Sequence, residues 1–537
     1  MKPLRNRSYK RSNEKTYERK IETDTNELLL SADLTTNLKR IKKDIGNSPD
    51  IVIREFKLGS NPCIQVAAVY IDSLSDKYMV SDFIMRSLMY ETADSAYKTM
   101  SSNKSIFDFI KDNSLTIGEI KVIKNWSELL LSLLSGNTLI LIDGWPEAIS
   151  NSTKGGESRA VTEPTTQIVI RGPKESFNES LNTNISLIRR RIKSPNLWLE
   201  MMKIGDVTQT DVAILYIKGI AKDNLVEEVK QRLHTIKTDG ILESGNIEAF
   251  IEDKTFTVFP TIYNTERPDA VAGNLLEGRI AILVNGTPFV LIVPTIFAQF
   301  FQVPSDYYDR YDIATFLRVL RYIGFIISLV FPALYIALIT FHQGMIPAPL
   351  LITLAASREG VPFPAVVEAL LMEFSFEVLR EAGIRMPRAV GQAVSIVGAL
   401  ILGQAAVQAG IVSPAMVIVV AITGISSFST PSYDLAIAAR LIRFSLMLLA
   451  AFLGLLGVML GLIAIIAHLS SLRSFGAPYL TPFAPFILAD QKDALLRFPL
   501  WSLLTRPRFI GTNNRNRTQS PFVSNKNRLK DDGNEKS

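Results

Sequence analysis

The sequence predicts an α+β/α-helical membrane protein: a cytoplasmic α/β domain of two subdomains, a polytopic helical membrane domain and a basic tail. Three observations carry this. The mean hydropathy of +0.19 over 537 residues averages two unlike parts, with nearly all the long apolar runs between 321 and 470. Residues 1–320 are charged and alternate strand-like with helix-like stretches. Residues 491–537 hold ten Lys/Arg against four acids, a bias that marks cytoplasmic segments of membrane proteins.

Residues 1–27 are polar and mixed in charge, and read as disordered. Met1–Lys20 is basic but no apolar run follows, so no cleavable signal peptide is expected there. Subdomain one (28–150) opens with a helix through LTTNLKRIKKDIG. Strands at 51–59 and 63–72, a helix near 76–90, a helix at 125–136 closed by Gly136 and a strand at 137–144 follow. Cys63, the single cysteine, excludes an internal disulfide and reads as a small buried hydrophobe. The linker 151–173 contains Lys154-Gly155-Gly156-Glu157-Ser158-Arg159, which lacks the spacing of a phosphate-binding loop.

Subdomain two (174–307) opens at SFNESLNTNISLIRRRI, where Ser176 and Glu179 have capping-box spacing. Strands follow in LWLEMMKIG and DVAILYIKGIA, then a helix at 223–236. Arg279–Pro294 is apolar enough to suggest a membrane segment. Its central Asn285-Gly286 instead predicts a β-hairpin, since that pair supplies the positive φ values of a tight turn. Glu163 and Arg171 are expected to pair across the linker and tie the subdomains.

The membrane domain (308–470) is expected to cross four times, near 322–341, 389–410, 411–428 and 445–469. Pro332 should kink the first span, and Gly454, Gly457 and Gly461 should allow close packing in the last. Residues 361–383 form a helix too acidic to cross. Glu373, Glu377 and Glu381 share a face with Arg380 and read as solvated, with Glu368 on the other side, so this helix is expected at the interface. Four crossings place both termini in the cytoplasm; Arg440 and Arg443 then fall on the far side, against the charge rule. The segment 471–537 is read as a basic C-terminal tail.

The stretch Ala389–Gly410 has 22 residues and neither charge nor proline. On a helix, Gly391, Ser395, Ala399 and Gly403 form a small-residue stripe suited to helix packing. Val397, Ile401, Gln404 and Gln408 lie opposite, and two amides one turn apart suit a protein partner or water better than lipid. Either a buried packing helix or the wall of a polar path fits. His234, His342 and His468 lie far apart and no nucleophile or metal-ligand set accompanies them, so catalytic residues, metal and cofactor are all expected to be none. Nor is a nucleic-acid partner expected.

Several blocks resemble one family. RAVTEPTTQIVIRGPKESFNESL (159–181), REGVPFPAVVEALLMEFSFEVLREAGIRMPRAVGQAVSIVGALILGQAAVQAGIVSPAMVIVVAITGISSF (358–428) and SFGAPYLTPFAP (474–485) are similar to the A subunits of GerA-type spore germinant receptors. The likeness covers roughly 40–500. It implies a multi-pass subunit of the inner spore membrane that works with a transporter-like B subunit and a lipoprotein C subunit, senses nutrients and triggers germination. It further implies a homo-oligomer: a ring around an ion path, with the nutrient held by B. In such a ring Val397 and Ile401 would form an apolar constriction, Gln404 and Gln408 would offer amides to a hydrated ion, and Glu368 would favour cations. The rival reading is a secondary solute transporter, for which four spans without an inverted repeat are few.

Overall fold

The structure, a computed structural model, describes residues 29–58, 64–85, 107, 120–155, 163–164, 166–167, 169–387, 398, 401, 403–510 and 513–517. The readings placed on 1–27, Cys63, 156–162, Gly391, Ser395, Val397, Ala399 and 518–537 lie outside the described residues.

The first subdomain begins with α1 (Leu34–Asp44), whose first-turn amides are capped by Asp33. It continues through β1 (Ile51–Leu58), β2 (Ile64–Ile71), β3 (Ile120–Ile123), α2 (Trp126–Leu134), β4 (Thr138–Ile142) and β5 (Ala148–Asn151). The second repeats the plan with α3 (Leu181–Arg191), β6 (Leu197–Ile204), β7 (Thr210–Ile217), α4 (Asp223–His234), α5 (Ser244–Ile251), β8 (Tyr263–Thr265), α6 (Pro268–Leu276), β9 (Ile280–Val284) and β10 (Val290–Val293). Strand order is β1-β2-β4-β5-β3 in one sheet and β6-β7-β9-β10-β8 in the other, and every pairing is antiparallel.

These orders are one topology used twice. The same interval, 142 positions, separates Trp126 from Pro268, Thr138 from Ile280 and Ala148 from Val290 at the element starts. The turn after β4 is Asp143-Gly144, and after β9 it is Asn285-Gly286, with the glycines at φ 79° and 94°. Each turn does the same work. Asp143 Oδ1 accepts from the Leu34 amide (3.1 Å), and Asn285 Oδ1 from the Leu181 amide (3.3 Å). Gly144 and Gly286 each donate at 2.8 Å to a carbonyl just before the helix, Ala32 and Glu179. The β9–β10 hairpin therefore caps α3, which starts after Ser180. Ser176 does not cap it; its hydroxyl donates to the Glu266 carbonyl at 3.0 Å.

The subdomains are tied by a buried pair, Arg189 to Asp50 (2.9 Å from Nη2 to Oδ1), and not by Glu163 and Arg171. Glu163 meets Lys174 at 3.2 Å and Arg171 meets Asp309 at 4.0 Å. Both are exposed contacts, each worth well under 1 kcal/mol as surface pairs go.

The helical region rises from subdomain two as α7 (Tyr311–Thr340) and continues with α8 (Ala348–Arg358), α9 (Ala365–Arg385), α10 (Pro414–Ser427) and α11 (Tyr433–Ser471). Pro332 lies inside α7, which runs unbroken past it. By length and apolar composition, two helices among the described residues, α7 and α11, are long enough to cross a membrane, and most of the expected span 389–410 lies outside those residues. Moreover, α11 is not one rod. Gly454 has φ 61° and ψ −141°, and beyond it the chain doubles back. A Cβ at Gly457 would strike the Leu449 carbonyl, and one at Gly461 would meet Leu446 and Leu449. The arms 433–453 and 455–471 are about 32 and 26 Å long at 1.5 Å per residue. Both feet rest on subdomain two: Asn264 donates to Asp434 at 2.7 Å, and Thr257 lies 2.9 Å from His468.

Helix α9 packs on the other helices through Ala365, Glu368, Ala369 and Glu373, which are buried, while Phe374, Val378 and Ile384 on its other side are exposed. Finally, residues 472–517 are not a free tail as far as they are described. The short pair Arg473–Ser474 and Ala477–Pro478 leads to Tyr479, which is fully buried and donates to the Pro260 carbonyl at 2.7 Å.

Candidate functional site

Charge is rare in an apolar bundle because an unpaired ion there costs several kcal/mol, so ionisable clusters mark its functional or locking points. The largest lies between α9 and the first arm of α11. Arg443 faces Glu373 and Glu377, each at 3.3 Å, and Arg440 reaches Glu377 at 3.3 Å. Arg380, one turn along α9, also grips Glu377. Glu373 and Arg443 are 1% exposed at the side chain. Thus, of the face read as solvated, Glu373 is buried, Glu377 and Arg380 are half-buried and Glu381 is exposed beside Arg385; the partners of Glu373 and Glu377 include the two arginines that the charge rule left stranded. The pairing spans more than sixty positions, which a single-helix reading does not reach. Glu373 accepts no hydrogen bond through either oxygen, so Arg443 is its one ion-pair partner among the described residues.

Glu368 sits further along α9. Its Oε1 accepts from Arg358 at 3.0 Å, and its Oε2 accepts from the Ser413 amide at 2.9 Å, at the N-cap of α10. Both oxygens are used within the chain and the side chain is 1% exposed. It therefore clasps α8, α9 and α10 together and does not stand open as a cation-selecting acid.

Of the proposed pore face, Ile401, Gln404 and Gln408 are exposed, whereas Gly403 is buried with Val417 of α10 3.5 Å from the position of a Cβ. Residues 403–408 are helical and end at Gly410 (φ 66°), beside the Gly360 carbonyl. One face of this rod is thus packed, while the other carries two amides and an isoleucine on the surface.

A second charged knot joins the head to the bundle. Asp306 accepts from Arg318 (3.1 Å) and from Arg321 (2.8 Å), and Arg318 also reaches Asp493 at 3.2 Å. Tyr307 donates to Asp493 at 3.1 Å. Burial pushes the Asp493 carboxyl up to about 6, against the pull of Arg318. Burial likewise raises the Tyr307 hydroxyl. A cleft of about 190 Å³ opens beside this knot, lined by Tyr263, Asp269, Gln299, Tyr307, Tyr308 and Leu500. On the other side of subdomain two, Glu248 faces Asp434. Burial first, then the charges of Asp434, Glu252 and Glu243, push its carboxyl up to about 8.

No group of three or more His, Cys, Asp or Glu able to hold a metal occurs among the described residues. His234 is exposed on α4, and His342 packs at the Gly454 turn. The Glu373–Arg443 and Arg318–Asp493 links escaped the sequence reading, although arginines inside apolar runs were a usable signal.

The sequence profile of the Bacillus/Clostridium GerA spore germination proteins matches residues 39–509. Spore germination protein KA of Bacillus subtilis (strain 168) is 53% identical over 483 residues, which cover 90% of this chain and 88% of that protein. The uncharacterized membrane protein YfkQ of the same strain is 42% identical, covering 90% of this chain and 92% of the other. The crystal structure of the N-terminal domain of the A subunit of the Bacillus megaterium spore germinant receptor GerK3 is 46% identical, covering 50% of this chain and 97% of that one, with a TM-score of 0.41. The profile match covers most of the chain and the two relatives are 53% and 42% identical over 90% of it, and on that basis the chain belongs to the Bacillus/Clostridium GerA spore germination protein family.

Proposed function

We propose that this chain is the A subunit of a nutrient-sensing spore germinant receptor, a non-enzymatic membrane protein whose copies assemble around an ion path. Family membership supports the receptor role. The observation that carries the ion path is the split rod at 401–408: Gly403 is packed while Ile401, Gln404 and Gln408 stay on the surface. An apolar bundle exposing two amides to lipid would leave them unsatisfied, at several kcal/mol each, whereas a hydrated lumen satisfies them. In this reading Val397 and Ile401 form the dewetting constriction and the B and C subunits supply nutrient recognition and anchoring. The protein sits in the inner spore membrane with both termini in the cytoplasm.

The test is ion leak from spores and from reconstituted vesicles. Ile401→Ala and Val397→Ala, each at normal protein level, should raise resting leak and trigger germination without nutrient. Unchanged leak and unchanged nutrient response in both variants would rule out this face as a gate. A monomer or dimer in mild detergent would favour a transporter over a ring.

A further inference from the structure

Two features of the cleft beside Tyr307 are costly unless something occupies it. The first is Gly273, which stands inside α6 and lines the cleft, where a glycine weakens the helix relative to alanine. A Cβ there would meet nothing within 4 Å, and its φ is not positive, so neither packing nor backbone shape calls for glycine. What it keeps is space. The second is Gln299, 3% exposed and the most deeply buried residue of the lining, whose Oε1 has no partner among the described residues. The volume of about 190 Å³ exceeds the ~150 Å³ of an apolar cavity that takes benzene, so a ring with a short chain fits.

The orientation of each polar group is settled by its neighbours. The Asn274 nitrogen donates to the Ala270 carbonyl at 2.8 Å, so Asn274 Oδ1 accepts from the Gln299 nitrogen at 3.0 Å, and Gln299 is left presenting its oxygen. The Gln302 nitrogen donates to the Asp493 carbonyl at 2.6 Å and leaves its oxygen likewise. Tyr307 gives its one proton to Asp493 and Tyr308 gives its own to Asp269, so both phenols offer the cleft lone pairs only. Asp269 and Glu277 add carboxylate oxygens, held in ion pairs with Arg267 and Arg279. Arg517, 4.0 Å from Glu277, is the one cation in the lining.

We propose that this cleft binds a small organic amine in its ammonium form, with the ammonium toward the Gln299 oxygen and the apolar body against the rings of Tyr263, Tyr307 and Tyr308. An ammonium brings three donors and no acceptor, which matches a wall of acceptors, and tyrosine faces attract a cation. A carboxylate or a polyol brings lone pairs that this wall, Arg517 apart, leaves unmet. The occupant touches α6, the residues leading into α7 and Leu500 of the segment after α11, so it joins the head to the foot of the bundle. The site depends neither on the ion path nor on nutrient recognition by B.

The test titrates the full chain in mild detergent with phenethylamine, phenethyl alcohol and phenylacetate, which share a body and differ in the polar group. Binding is read from the melting temperature and from saturation-transfer NMR of the ligand. With about nine non-hydrogen atoms, the amine should bind with a Kd on the order of 1 mM or below, and about tenfold or more tighter than the other two. Gly273→Leu fills the cleft and should abolish binding while the melting temperature of the free protein stays at or above wild type. Gln299→Met removes the oxygen and should weaken the amine about tenfold while the alcohol changes little. Added phosphatidylethanolamine separates two sources of the same group: competition assigns the ammonium to a lipid headgroup, and its absence to a free amine. The proposal is overturned if the amine does not bind up to about 10 mM, or if the alcohol or the acid binds as tightly. It is overturned equally if Gly273→Leu and Gln299→Met both bind the amine as wild type does.

Discussion

Removing Arg443 should be far more damaging than removing its partner Glu373. In Arg443→Met, Glu377 keeps Arg380 and Arg440, but Glu373 loses its one ionic contact while remaining 1% exposed. Breaking a buried pair from one side costs about 3–5 kcal/mol, enough to reduce the folded-to-unfolded ratio more than a hundredfold. In Glu373→Gln, Arg443 still holds Glu377 at 3.3 Å, so the loss falls to about 1–2 kcal/mol. The double variant Glu373→Leu/Arg443→Met leaves no orphan charge and should recover more than half of the Arg443→Met loss. The assay is thermal stability of the purified protein in mild detergent, read as the fraction that stays monodisperse after heating. The reasoning fails if Arg443→Met is as stable as wild type, or if the two single losses simply add in the double.

Glu248 has its carboxyl raised to about 8, so the proton it keeps in the fold stabilises fully below about 4.5, the ordinary value, and that contribution is lost as pH rises through about 8. Glu248→Gln should therefore flatten the fall in melting temperature over this window; parallel pH curves for the two proteins would refute the assignment. Gly454→Ala places a side chain at φ 61° and ψ −141° against Phe341 and His342, and should destabilise by about 2 kcal/mol or more, visible as a lower melting temperature. Asp50→Ala strands Arg189, which is 0% exposed, and should cost about 3–5 kcal/mol. Limited proteolysis should then cut between the sheet subdomains, and an unchanged digest would exclude Asp50 as the tie.

What the chain discloses in advance is what local chemistry decides. The hairpin at Asn285-Gly286 is legible because that pair marks the reversal, although five residues, 285–289, connect β9 to β10 and of the pair only Gly286 takes a positive φ. The duplication was equally present in LILIDGWP and AILVNGTP, whose turn glycines stand at the same 142-position interval, but it emerges only when the two sheets are laid over one another. Glu373 and Glu377 misled because a helical wheel sees the acids of one helix and not Arg440 and Arg443 on another. Gly454 misled because glycine in an apolar run reads equally as a packing residue or as a reversal. The difference is its φ, which composition does not carry. Of the candidate site, the packed Gly403 and exposed Gln404 follow from the 3.6-residue period. The engagement of Glu368 depends on Arg358 and the Ser413 amide, brought to it by the turns between α8, α9 and α10.

On the membrane reading proposed above, the reversal at Gly454 bears on how the protein is made. The translocation machinery does not meet a polar loop there, since the chain turns within apolar sequence between Leu453 and Leu455. The two arms can enter the bilayer together, and nothing hydrophilic at that bend has to be carried across. A reporter, tag or protease site placed at the bend would therefore disturb insertion instead of reporting on it. The experimental handles on this region are its two feet, near Asp434 and His468.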